Sequence, residues 1–334
     1  MPLSAQTTPT DSPSRLQPSR VCAHRLSRRT LLKGMGGLAA ASFIGGGAVV
    51  AGSAPAQAAL TVAEHEDHGR MQYYKLATSS VGLQPRVNVL LPDGYDTSRR
   101  YPVLLLLHGG GENYSTFDTK YDIRNHTAGR DLIVVMPDGG AAGWYSDPES
   151  SNVGPRNWET FHIKELIPWV DATFATTAQA SGRAVSGFSM GGFGALKYAA
   201  KYPELFGSVS SHSGPADLRI QDGAVVHWAN FTAGATDLKG GTIYGIPWDQ
   251  ARVSADNPVE HVESYRGKRV FLVSGTESDR YESVVLPSQQ SFGKALAGAG
   301  IGYEHYEDTG AHIVRWGRMQ QDIDSLLNHF AKAG

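Results

Sequence analysis

Cysteine is all but missing: the 334 residues hold a single one, Cys22, so no disulfide can form within the chain and its fold must rest on a core. Charge is sparse as well, at 19% of residues, and nearly balanced at a formal −2. No sustained basic run follows residue 33, which argues against nucleic acid or an anionic membrane as partner. From residue 59 onward internal repeats and Ser/Pro-rich linkers are absent too. The 41% of hydrophobic residues then points to a globular body, and residues 59–334 read as one domain.

A strong membrane span is also lacking. Ser27-Arg28-Arg29-Thr30-Leu31-Leu32-Lys33 precedes an uncharged, Gly- and Ala-rich stretch over 34–60 that contains Ala54-Pro55-Ala56-Gln57-Ala58. This is the layout of a twin-arginine signal, residues 1–58, with cleavage expected after Ala58 and a secreted or cell-envelope destination. The stretch is too weakly hydrophobic for its length to make a good permanent anchor, so no stable span is expected after processing. Removal of the signal takes Cys22 with it, in keeping with a protein that folds before export and needs no disulfide.

What the chain does have is alternation. Residues 86–91 alternate at first and stop at Pro92-Asp93-Gly94, as a strand before a turn does. Residues 103–107 form a continuous apolar run suited to a strand buried on both faces, and 132–136, 183–187, 209–211 and 270–274 are similar or weaker. Helical patterns over 161–174, 192–202, 286–296 and 315–330 lie among them. Together they predict an α/β architecture: a doubly wound, mostly parallel sheet with right-handed crossovers and helices on both faces. Residues 215–265, rich in Gly, Asp, Asn and Trp with weak periodicity, read as an excursion over the active site.

Gly187-Phe188-Ser189-Met190-Gly191-Gly192 follows a strand pattern and opens a helical one, the context in which G-x-S-x-G marks the nucleophile turn of an α/β-hydrolase fold. Ser189 is the candidate nucleophile, and a serine hydroxyl needs a base to take its proton. Of twelve histidines six follow Ser189, and only His312 sits in a loop between a strand-like segment and the last helical pattern. His305 lies within a short strand and His329 on the terminal helix. His227 and His261 fall in the excursion, while His212 follows the next strand and is assigned to the substrate pocket. The carboxylate that orients the base should follow 270–274, where Glu277, Asp279 and Glu282 all qualify and spacing does not choose. His108-Gly109-Gly110-Gly111 ends the first apolar run, and the amides of Gly110 and Met190 are the candidate oxyanion donors. His108, Gly111 and Trp144 are further pocket candidates, with Trp228 and Trp248 as aromatic alternatives to simple packing.

The chain resembles the esterase D-like group of α/β-hydrolases, and within it the secreted mycolyltransferases of the antigen 85 type. The resemblance runs over most of 86–330. It rests on Pro137-Asp138-Gly139-Gly140, Trp144-Tyr145-Ser146-Asp147, Trp158-Glu159-Thr160-Phe161, the Ser189 motif and Gly310-Ala311-His312. Tyr281-Glu282 with Leu286 and Gln290-Ser291-Phe292 resembles the surroundings of the catalytic glutamate in that group, which implies Glu282 as the acid, with Asp279 as alternative. His108 and Gly111 stand where those enzymes carry an Asp and an Arg for trehalose, so the resemblance implies carboxylic ester hydrolysis in preference to transfer onto trehalose.

The expected activity is a serine ester hydrolase working through an acyl-serine on a small-molecule, cell-envelope or carbohydrate ester, without cofactor or metal. An acyltransferase with the same machinery is the alternative, and a secreted binding protein that keeps the fold without catalysis is the second. The polar run Glu64-His65-Glu66-Asp67-His68 is expected to be a solvated, flexible terminus and not a metal site.

Overall fold

A computed structural model describes residues 60–333; the arginine pair and the expected cleavage point lie outside them. Nine strands form one sheet: β1 (Thr61–His68), β2 (Met71–Ala77), β3 (Arg86–Leu90), β4 (Val103–Leu107), β5 (Ile133–Pro137), β6 (Arg183–Phe188), β7 (Ser208–His212), β8 (Arg269–Gly275) and β9 (Glu304–Asp308). Their order is β1-β2-β3-β5-β4-β6-β7-β8-β9. Pairs from β1 to β5 along this order are antiparallel and all later pairs are parallel. The α-helices among the described residues are α1 (Thr116–Thr119), α2 (Ile123–His126), α3 (Trp158–Thr160), α4 (Ile167–Thr173), α5 (Met190–Lys201), α6 (Ile220–Ala235), α7 (Gln250–Asp256), α8 (Glu282–Gly298) and α9 (Trp316–Ala333).

The apolar run of β4 shows why the sheet is covered on both sides. Val103, Leu105 and Leu107 join one hydrophobic cluster, with Phe193 and Leu196 of α5 and Phe292 and Leu296 of α8. Leu104 and Leu106 point the other way, into a cluster with Met319, Ile323 and Leu326 of α9. Side chains alternate across a strand, so a run without polar interruption demands cover on both faces. None of these helices is long and apolar enough to cross a membrane.

Two segments have a structure that their composition hides. The excursion over 215–265 is largely helical: in α6 the buried Val225, Val226, Ala229 and Ala233 recur at helical spacing, and the intervening His227, Trp228, Asn230, Phe231 and Thr232 mask the stripe. The run Glu64–His68 is part of edge strand β1. All of its residues are exposed, yet it pairs with β2, His65 stacks on Tyr74 at 4.3 Å, and His65 Nε2 lies 2.7 Å from Gln72 Oε1.

The parallel strands end in register. Leu107 pairs with Gly187, Phe188 with His212, and Gly275 with Asp308. The loops that carry the candidate residues therefore leave the sheet along one edge, where open α/β sheets bind ligands.

Candidate active site

Ser189 occupies the turn between β6 and α5 with φ 56° and ψ −118°, a backbone conformation that a residue with a side chain adopts only at a cost. Two neighbours make room for it. A Cβ on Gly187 would stand 2.4 Å from the Gly191 carbonyl, and one on Gly191 would stand 2.1 Å from the Leu107 oxygen, so only glycine fits at either position. The turn is pinned by the Ser189 amide, which donates to the His212 carbonyl at 2.8 Å.

His312 Nε2 lies 2.8 Å from Ser189 Oγ, and His312 Nδ1 lies 3.1 Å from Glu282 Oε1. A carboxylate accepts, so Nδ1 donates to Glu282 and Nε2 is left to accept the serine proton. The ring is held between Phe188 and Tyr281, each with its centroid at 4.9 Å. Glu282 begins α8 and is buried. Asp279 is brought close but does not reach the ring. Its oxygens accept the main-chain amides of Tyr281, Glu282 and His312 at 2.8, 2.7 and 2.8 Å. Burial works against ionisation of Asp279, but these amides outweigh it and hold the pKa below the ordinary carboxylate value.

The glycine loop after β4 is shaped by a residue that sequence reasoning missed. Glu112 Oε2 accepts the Gly109 amide at 2.9 Å, while Oε1 accepts Lys120 Nζ at 3.0 Å and the Tyr121 hydroxyl at 2.9 Å. The Gly111 amide donates to the Ala141 carbonyl at 2.7 Å. Between them the Gly110 amide has no acceptor among the described residues, and Met190, first in α5, has no helical carbonyl one turn back to receive its own. A carboxylate three residues after Gly109 was the available signal for Glu112.

His108 and His212 are not in the pocket, contrary to expectation. His108 is buried, its Nε2 accepting the Gly139 amide at 2.9 Å and its Nδ1 donating to the Gly109 carbonyl at 2.8 Å, and burial depresses its pKa. His212 points away from Ser189 into the protein, with Nε2 2.9 Å from Asp322 Oδ2.

Above Ser189 opens a cleft of about 810 Å³ that Gly110, Gly111, Trp144, Met190 and His312 help to line. Trp144 donates from Nε1 to Thr232 Oγ1 at 2.9 Å. Trp228, Phe231, Val285 and Val314 make part of the lining apolar, and Glu112, Lys120 and Tyr121 add polar groups to it. Trp248 does not line the cleft and packs on His227 instead. Phe231 and Ile313, 76% and 56% exposed, stand at the cleft as apolar surface left open among the described residues. Among the described residues no cluster of three or more His, Cys, Asp or Glu is placed to hold a metal ion.

A family model described as "Putative esterase" matches residues 78–319. Esterase Rv1288 of Mycobacterium tuberculosis is 57% identical over 277 residues, covering 80% of this chain and 60% of that one, so the chain spans about 60% of this relative's length. Diacylglycerol acyltransferase/mycolyltransferase Ag85B of Mycobacterium leprae is 31% identical over 151 residues, 42% of this chain and 44% of its own. Among solved structures, an S-formylglutathione hydrolase from Agrobacterium tumefaciens superposes with a TM-score of 0.64 over 82% of this chain and 99% of its own, at 19% identity. That last likeness speaks to fold alone, and the fold is the α/β-hydrolase fold.

Proposed function

The chain belongs to the esterase family of that model, and on this premise we propose that it is a serine carboxylic ester hydrolase that forms an acyl-enzyme on Ser189. The observation that carries the reading is the continuous relay from Glu282 Oε1 to His312 Nδ1 at 3.1 Å and from His312 Nε2 to Ser189 Oγ at 2.8 Å, opening into a cleft.

His312 Nε2 takes the hydroxyl proton as Ser189 Oγ attacks the ester carbonyl carbon. Glu282 holds the ring in the required tautomer and stabilises the imidazolium that forms. The tetrahedral oxyanion is received by the amides of Gly110 and Met190, groups of the kind whose loss costs about 100- to 1000-fold in rate. The C–O bond to the alcohol breaks, the imidazolium proton goes to the departing oxygen, and an acyl-Ser189 remains. Water, deprotonated by His312, then attacks the acyl carbon and releases the acid and free Ser189.

Similarity to an acyltransferase supports a second reading, in which a sugar or glycerol hydroxyl replaces water in the last step. Incubating the protein and its Ser189→Ala variant with p-nitrophenyl esters of graded chain length, with and without trehalose or glycerol, separates the two. Free acid that depends on Ser189 establishes hydrolysis, and a dominant transferred ester establishes transfer. Absence of phosphonate labelling at Ser189 would favour a non-catalytic binding protein. Export is proposed from the paired arginines, the uncharged stretch over 34–60 and the small-residue run before residue 59, and Arg28→Lys with Arg29→Lys should leave the protein inside the cell.

A further inference from the structure

Resting on the reading of Ser189, His312 and Glu282 given above, we propose that Asp279 is a positioning residue whose single carboxylate ties the main chain of the base to that of the acid. Oδ1 accepts the amides of Tyr281 and Glu282 at the start of α8, and Oδ2 accepts the amide of His312 itself. The two tied residues, Glu282 and His312, are the ones whose side chains meet at 3.1 Å.

They come from different places, Glu282 after β8 and His312 after β9. Other main-chain bonds join these two loops further back, Thr276 to Asp308 at 3.0 Å and Glu277 to Gly310 at 3.2 Å, but reach neither residue. An aspartate that merely caps a helix needs one oxygen for the first amides and can leave the other to water. Here the second oxygen holds the opposite loop. Amide bonds to an ionised carboxylate are shorter and stronger than neutral ones, so three of them make a stiff clamp. Asp279 touches no ring nitrogen and no reacting atom, and it acts through the alignment of His312 on Glu282. Misplacement of a catalytic group by 1 Å can cost on the order of 100-fold.

The test uses Asp279→Ser, Asp279→Asn, Glu282→Gln and the double variant Asp279→Ser/Glu282→Gln in the full chain. Serine still caps α8 but is too short to reach the His312 amide; asparagine is close in shape to aspartate but turns an N–H₂ towards one of the amides. Both single Asp279 variants should unfold near the parent temperature, lose roughly 10- to 100-fold in kcat and keep KM within about threefold. On the Glu282→Gln background Asp279→Ser should cost less than about threefold more, because its effect passes through that pair.

A parent-like kcat in Asp279→Ser, with Ser189→Ala and Glu282→Gln both slowed by about 10⁴-fold, would reduce Asp279 to a helix cap and leave the proposed function standing. A full loss repeated on the Glu282→Gln background would equally overturn the positioning role. If instead Glu282→Gln kept its activity while Asp279→Asn abolished it, Asp279 itself would be the acid, and the assignment of Glu282 would fall first.

Discussion

Two histidines in this molecule face carboxylates at nearly the same distance and in opposite settings. His312 Nδ1 lies 3.1 Å from Glu282, and His212 Nε2 lies 2.9 Å from Asp322. What separates them is the second ring nitrogen and the company of the carboxylate. His312 turns Nε2 to Ser189 Oγ in a cleft, and Glu282 has that ring as its partner. The second nitrogen of His212 is buried with no partner among the described residues, and Asp322 is shared with Arg269 at 2.8 Å, Ser210 at 2.6 Å and Ser186 at 3.2 Å. A histidine–carboxylate pair is therefore a structural tie by default. It becomes a candidate base when its free nitrogen meets a hydroxyl at an open site.

The largest effects should fall on one pair only. Ser189→Ala and His312→Ala should each lower kcat/KM by about 10⁴-fold or more, and Glu282→Gln by about 10⁴-fold, with little change in melting temperature. His212→Gln, assayed per folded molecule on the same ester, should stay within a few-fold of the parent. An inactive but folded His212→Gln would break the comparison.

Removing the other carboxylate should read out as stability. Asp322→Asn leaves Arg269 buried without its counter-charge, and breaking a buried pair from one side costs about 3–5 kcal/mol. Urea melts of Asp322→Asn and Glu282→Gln side by side measure this, and equal midpoints would erase the distinction between the pairs.

Acid sharpens the same contrast. Burial alone would raise the Asp322 pKa, but the charge of Arg269 and the bond from His212 overcome it and hold the pKa at about 2. Glu159, buried beside Lys197 and Lys201, is held at about 2 in the same way. A carboxylate whose folded pKa is depressed adds stability that is complete above its unfolded value, near 4, and lost as pH falls through the folded value. Stability should therefore drop between about pH 4 and pH 2, and Asp322→Asn should flatten its share of that slope in denaturation curves taken across the range.

These contrasts also mark what could be read in the sequence. The central strands were legible because a run such as 103–107 has no polar face to offer water, and Ser189 because its glycines leave no doubt about the turn. The carboxylates were not separable by spacing: Asp279 and Glu282 lie on one short segment, and the start of α8 decides which of them points at the ring. His108 and His212 do not line the cleft, because a place beside the glycine loop or after a strand does not fix where a side chain points. With side chains alternating along β7, His212 shares the face of Ser210, and both reach Asp322 on α9 and not the cleft. Strand β1 was hidden because its acids and histidines look like a solvated terminus, and an exposed edge strand has just that composition.

The smallest effect concerns the other half of the machinery. Glu112 shapes the glycine loop as Asp279 shapes the base, with one oxygen on the Gly109 amide and the other on Lys120 and Tyr121. Glutamine at this position can keep one of these bonds as acceptor but must turn an N–H₂ towards the others. The Gly110 amide would then be less well fixed without being removed, so Glu112→Gln should lower kcat by about 10-fold, short of the 100- to 1000-fold cost of deleting an oxyanion donor. KM should change little, because the loop is proposed to receive charge that develops only in the transition state. A rise in KM at constant kcat would instead assign Glu112, together with Lys120 and Tyr121, to substrate binding in the cleft.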